Sequence, residues 1–336
     1  MKILIATPLD STQSGGPAQY TVHLKKCFHE LGNEVYVVAF SSVLRYPTGI
    51  RHILFFLKVV CSIRRMDIVI ILDTFSVALP TLIAAKLFRK KTIIRTGGDF
   101  VWEQYVERTG ERIALSDFYE QPRCLGFKGR LSFLIQKYIV SRLATLFLFS
   151  TEWQKQIWKT PYALNENRIG VIENAYVQAS SVSHGEKRNN TIIWIGRDLV
   201  LKNKETLRKV MSPILKKYPY ISYAEYTSLP HDVLIEKLSE CRAVVIPSFS
   251  EVSPNIAIEA LSVGTPVVLT DDCGLHTVLD RGVVWVDVMR EEDLERGIVK
   301  VVENDSYADI KRAAESFHLS RTYMDVAQDF LEYMHK

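Results

Sequence analysis

Eleven short apolar runs rich in β-branched residues alternate with longer stretches of helical period along this chain, and the alternation halts only once. Runs at 2–7, 34–40, 68–72, 92–96, 145–149 and 169–172 form one series, and runs at 191–195, 221–226, 243–247, 266–270 and 283–286 form a second. A strand that is apolar throughout, rather than at every second position, is buried on both faces. Such strands belong to parallel sheets covered by helices. The pattern therefore predicts an α/β chain with two Rossmann-like parallel-sheet domains. At 336 residues the chain exceeds what one hydrophobic core usually holds, which also favours two domains. The interruption, 178–190 (QASSVSHGEKRNN), is polar and without period, and marks the boundary between a domain at 1–177 and a domain at 178–319. The final segment, 320–336, reads as an amphipathic helix with no strand after it and is expected to pack back on the first domain.

Charge divides unevenly between these halves. Residues 1–175 hold 23 Lys and Arg against 14 Asp and Glu, whereas the rest of the chain is net acidic. The basic half suits phosphate-rich partners: an anionic membrane surface or anionic acceptor is favoured over nucleic acid, because no nucleic-acid-binding motif accompanies the charge. Two stretches sharpen this expectation, 52–65 and 127–142 (FKGRLSFLIQKYIVSR), where cations alternate with apolar residues at helical spacing. Each reads either as a membrane- or acceptor-facing helix or as an ordinary amphipathic surface helix. The stretch 68–88 is interrupted by Asp73 and Pro80 before it could span a bilayer, and the opening MKILIATPL is too short for a leader's apolar core. Cys27, Cys61, Cys124, Cys241 and Cys273 are scattered without a CxxC, which reads as reduced thiols rather than disulfides or structural zinc. A cytoplasmic protein is expected, meeting any membrane at its inner face.

Three places can carry chemistry. The first strand-to-helix turn holds Gly15 and Gly16 ahead of Pro17, with Gly32 ending the helix. Small residues at a helix N-terminus admit an anion, although the turn is not GxGxxG and serves equally as a structural turn. The second domain opens with TIIWIGRDLVLKNKETL, delivering Gly196 and Arg197 to the sheet edge and Lys202 to the loop behind it, two cations suited to a diphosphate. The third place is AVVIPSFSEVSPNIAIEALSVGTPVVLT, from 243 to 270. There Ser253 is expected to cap a helix, Pro254 to be its first residue and Gly264 to end it. The amides of Asn255, Ile256 and Ala257 would then face a phosphate. Glu251 stands beside the positive helix end, placed to accept hydrogen bonds from hydroxyls. Glu259 lies roughly 7 to 8 Å along the helix axis from Pro254 and faces another part of the same elongated ligand. Its neighbours Ile258, Ala260 and Leu261 make it an unlikely solvated charge.

Glu251, seven residues, Glu259, then Ala-Leu-x-x-Gly-x-Pro-Val-Val, with Pro247-Ser248 and Gly196-Arg197…Lys202 upstream, resembles the retaining GT-B glycosyltransferases of family GT4, the glycosyl transferases group 1. The resemblance runs from Gly15-Gly16, through Asn174 before the interdomain break, to the second-domain motif. It implies a GT-B fold with two Rossmann-like domains facing each other across a cleft, the nucleotide sugar held mainly by the second and the acceptor by the first. Arg197 and Lys202 would neutralise the diphosphate leaving group, Glu251 would bind sugar hydroxyls and Glu259 ribose hydroxyls. Ser253, Asn255, Ile256 and Gly16 would complete the donor cradle. No cofactor or obligatory metal is implied, and Asp271-Asp272 reads as structural. The chain departs from the family at Asn203, where Gly is usual. It departs also after the fourth strand, where many relatives carry His and this chain reads RTGGDF. Asp99 there is a candidate for binding a sugar or acceptor hydroxyl, or caps the following helix; Trp102 stacks on a sugar or is core, and core is the favoured reading.

The function expected is sugar transfer from a UDP- or GDP-sugar to a glycan or lipid-linked acceptor in cell-surface polysaccharide or glycolipid synthesis. The alternatives are a nucleotide-sugar hydrolase or epimerase of the same fold, and an inactive nucleotide-sugar-binding protein.

Overall fold

A computed structural model describes residues 1–9, 16–121, 123–176 and 189–335. Gly15 and most of the break at 178–190 lie outside these residues. The chain divides into two compact units. The first comprises Met1–Val101, Arg123–Ala175 and Arg321–Lys336, and the second Trp102–Pro122 and Tyr176–Ser320.

In the first unit the strands are β1 (Lys2–Thr7), β2 (Glu34–Ala39), β3 (Ile68–Ile71), β4 (Lys91–Thr96), β5 (Leu146–Phe149) and β6 (Ile169–Val171). They lie in the order β2-β1-β3-β4-β5-β6, every pairing parallel. The helices, in chain order, are α1 (Gly16–Glu30), α2 (Thr48–Ile63), α3 (Ala78–Leu87), α4 (Phe100–Thr109), α5 (Leu115–Phe118), α6 (Gly126–Ile135), α7 (Ser141–Leu143) and α8 (Glu152–Lys159), with a π-helical turn between α6 and α7. α4 carries the chain from the first unit into the second, and α5 belongs wholly to the second.

The second unit repeats the topology with β7 (Thr191–Ile195), β8 (Ser222–Tyr226), β9 (Ala243–Ile246), β10 (Val267–Thr270) and β11 (Val283–Val286), parallel in the order β11-β10-β9-β7-β8. Its further helices are α9 (Lys204–Lys217), α10 (His231–Glu240), α11 (Asn255–Ser262), α12 (Glu291–Val302) and α13 (Asn304–Glu315). Alternate residues of β10 enter two different cores. Val267 and Leu269 pack with Leu238, Ala257 and Leu261 of α10 and α11, while Val268 packs with Leu207, Met211 and Ile298 of α9 and α12. Burial on both faces explains why inner strands such as β3 (IVII), β9 (AVVI) and β10 (VVLT) are almost wholly apolar.

The last helix, α14 (Tyr323–His335), returns to the first unit. It inserts Val326, Ala327, Phe330 and Met334 into the core formed by Leu24 and Phe28 of α1 with Ile3 and Ile5 of β1. The Phe28 and Phe330 rings meet edge to face at 6.2 Å, and His23 stacks on Tyr323 at 4.5 Å.

Chain order placed 102–122 in the first domain, but this segment packs with the second unit. Its polar groups find their partners there. Glu107 accepts from the amides of Val200 and Leu201, Arg112 donates to the Val288 carbonyl at 2.9 Å, and the Leu115 amide donates to Ser250 Oγ at 2.6 Å. Trp102 is buried, its indole N–H bound to the Ile113 carbonyl at 3.1 Å. Among the described residues no helix is long and apolar enough to cross a membrane, and none of the five cysteines is in a disulfide.

Candidate active site

Both sheets place their second strand on one side of the first and their third strand on the other, so the strand order reverses there. Ligands of open α/β sheets bind outside the carboxyl ends of the strands at that reversal. In the second unit it falls between β7 and β9. The loops leaving those two strands carry Arg197 and Lys202 in one case and Glu251 in the other.

After β7 the chain passes Gly196, where any Cβ would come within 3.2 Å of the Trp194 ring, and enters a three-residue 3₁₀ turn, Val200–Lys202. Asn203 then takes φ 53° and ψ 32°, the left-handed region that glycine enters freely and Asn enters more readily than most residues. Asn is thus among the few non-glycine residues suited to this position. The turn aims Lys202 at Glu251, Nζ to Oε1 at 2.5 Å, with both side chains largely buried. Ser248 Oγ donates to the same Oε1 at 2.6 Å.

The backbone fixes this pair. The Phe249 amide donates to the Leu201 carbonyl at 2.9 Å, joining the two loops. The Glu251 amide donates to the Asp272 carbonyl at 3.0 Å, and the Glu251 carbonyl accepts from Gly274 at 2.9 Å, tying the loop to the segment after β10. Glu251 Oε2 has no hydrogen-bond partner among the described residues, and an ammonium bound once retains two further donors. One hydroxyl acceptor and one cation are thus presented side by side. Arg197 is exposed, and its guanidinium has no partner among the described residues.

The helix behind the loop begins one residue later than its sequence suggests. Pro254 keeps an extended ψ of 99° and occupies the N-cap position without a side-chain cap, so Ser253 does not cap α11. The Ala257 amide is also taken, donating to the Pro254 carbonyl at 3.1 Å. Asn255 is exposed and Ile256 half-buried at the helix start. Farther along α11, Glu259 is partly buried, with Oε1 3.2 Å from His231 Nε2 at the start of α10. Burial raises the Glu259 carboxyl above its ordinary value, and the His231 ring works against that rise.

Asp99 and Gly16 belong to the first unit. Asp99 is fully buried directly before α4, and Gly16 opens α1. The structure thus joins Lys202 to Glu251 and sets Glu259 on the helix that follows. Ser248 and His231 join these residues unannounced: Ser248 was a motif residue without a role, and His231 stands 28 positions from its partner. Asp272 accepts a hydrogen bond from Ser250 Oγ, and burial raises its carboxyl. Among the described residues no group of three or more His, Cys, Asp or Glu could hold a metal ion. A cavity of 420 Å³ in the first unit, lined by Ile68, Lys91, Leu146 and Tyr333, opens at the amino ends of its strands, the wrong end for a ligand site of this fold.

Residues 221–317 match the family model Glycosyl transferases group 1. No curated protein matches the chain by sequence. Among solved structures, sucrose-phosphate synthase from Thermosynechococcus elongatus is 11% identical with a TM-score of 0.69, the match covering 99% of this chain and 98% of that one. The UDP-forming α,α-trehalose-phosphate synthase from Burkholderia xenovorans is 10% identical with a TM-score of 0.66, covering all of both chains. WaaG, a glycosyltransferase involved in lipopolysaccharide biosynthesis, is 11% identical with a TM-score of 0.64, covering 98% of this chain and 99% of that one. The chain has the GT-B fold, and part of its second unit matches the model of the group 1 glycosyltransferases.

Proposed function

We propose that this protein is a retaining, metal-independent glycosyltransferase that moves a sugar from a UDP- or GDP-sugar to a glycan or lipid-linked acceptor in cell-surface polysaccharide or glycolipid synthesis. The observation that carries the reading is the Lys202–Glu251 pair at the strand-order reversal of the second sheet, 2.5 Å apart, with a carboxylate oxygen still open. Lys202 and Arg197 would bind the diphosphate, with the amides of Asn255 and Ile256 at the start of α11 and, from the first unit, Gly15-Gly16. Ser253 would line the same cradle. Glu251 would accept from sugar hydroxyls and Glu259 from ribose hydroxyls. Asp99 is the first-unit candidate for a sugar or acceptor hydroxyl.

In the transfer, the bond between the anomeric carbon and the diphosphate oxygen breaks as the acceptor oxygen bonds to that carbon on the same face. The acceptor proton passes to the departing diphosphate oxygen. Negative charge grows on the diphosphate, where fixed cations and amides stabilise it more in the transition state than in the ground state.

Apolar residues exposed on the first unit support an acceptor met at an anionic membrane. Ile50, Ile53 and Leu57 stand on one face of α2, and Phe127 and Leu131 on one face of α6. Lys58, Arg64, Lys128 and Arg130 are exposed beside them.

Thermal shift and nucleotide release, measured with UDP-, GDP- and ADP-sugars with and without acceptors, test the enzyme reading. Lys202→Ala is expected to weaken diphosphate binding about tenfold, and EDTA to leave turnover unchanged. If no nucleotide sugar binds and neither Lys202→Ala nor Glu259→Ala changes anything, the enzyme reading is wrong. Sugar release or isomerisation without an acceptor would favour the hydrolase or epimerase.

A further inference from the structure

Within the second unit, the segment Trp102–Pro122 packs on the two loops that carry Lys202 and Glu251. Glu107, in the last turn of α4, accepts from the Val200 amide through Oε2 at 3.1 Å and from the Leu201 amide through Oε1 at 3.0 Å. These are the first two residues of the 3₁₀ turn that ends in Lys202. The leading amides of so short a turn have no carbonyl of the turn to bond, and Leu199 before it has no polar side chain to offer them. A carboxylate from 93 positions upstream serves as the missing cap. The same segment reaches the second loop: the Leu115 amide holds Ser250 Oγ, and Ser250 donates to Asp272, whose carbonyl receives the Glu251 amide.

We propose that Glu107 is a positioning residue of the donor site. Acting through the backbone of Val200 and Leu201, it holds Lys202 where the ammonium meets Glu251 and the donor diphosphate. The inference rests on the diphosphate-binding role proposed for Lys202. It gives 102–122 a task in the second unit that chain order hides.

A double-mutant cycle on the full chain tests it, reading UDP and GDP affinity by calorimetry, kcat and KM with the donor sugar that the screen identifies, and the melting temperature. Glu107→Ala is expected to weaken nucleotide-diphosphate binding about fivefold while the fold stays intact, and to add less than about twofold when Lys202 is already Ala. Glu107→Gln, which keeps one acceptor oxygen, should recover part of the loss and carries the cycle should the Ala variant not fold. Equal losses with and without Lys202, or no loss from Glu107→Ala where Lys202→Ala weakens binding, would overturn the role of Glu107 alone. No loss from Lys202→Ala would overturn both this inference and the reading beneath it.

Discussion

Glu259 sits on an apolar helix, partly buried, with one exposed imidazole as its polar neighbour. Burial penalises its charged form and His231 partly offsets that penalty, so the carboxyl ionises above its ordinary value. An ionised carboxylate accepts from ribose hydroxyls at both oxygens, whereas the protonated acid turns one of them into a donor, and donor affinity should therefore fall as pH drops through this raised value. His231→Ala removes the opposing effect and should move that acid limb of the affinity profile to higher pH; an unmoved limb would show that the two groups are uncoupled. The sign for stability follows the same shift. A carboxyl raised in the folded state favours folding most at low pH, and this contribution is lost as pH rises from the ordinary value through the raised one. The apolar neighbours of Glu259 marked it in the sequence, but nothing local marked His231.

The strands were legible as elements because burial on both faces makes the inner ones, such as β3, β9 and β10, runs of apolar residues, and their ends differ from expectation by about one residue. The start of α11 was less legible. Pro254 suits either the first helical residue or the cap before it, and its ψ decides between them only once the loop from Glu251 is tied down through Asp272 and Gly274. The amphipathic stretches at 52–65 and 127–142 left membrane and ordinary surface readings open. In the structure Phe127 is 84% exposed and Ile53 62%. Each exposed apolar side chain buried in lipid would contribute roughly 1.5–3 kcal/mol, and the neighbouring cations add attraction to anionic headgroups. Phe127→Ser combined with Leu131→Ser should reduce co-sedimentation with phosphatidylglycerol vesicles about tenfold or more, while UDP and GDP affinity stays constant. Equal binding of the native chain to phosphatidylcholine vesicles, or none to either, would count against the membrane reading.

At the scale of the molecule, the first unit is closed by the end of the chain. Phe330 is fully buried against Phe28, between the first helix and the last. Phe330→Ala should cost about 3–5 kcal/mol in chemical denaturation, since removing a buried ring leaves a cavity. A loss below about 1 kcal/mol would mean that α14 adds little to that core. By itself the sequence determined the two parallel sheets and the Glu251–Glu259 motif, because periodicity and helix-end chemistry act over a few neighbouring residues. Only the tertiary structure decided that 102–122 serves the second unit, that Glu107 caps the Lys202 turn and that His231 meets Glu259. Those contacts join residues 28 to 176 positions apart, and no local spacing encodes which distant surface a folded loop will face.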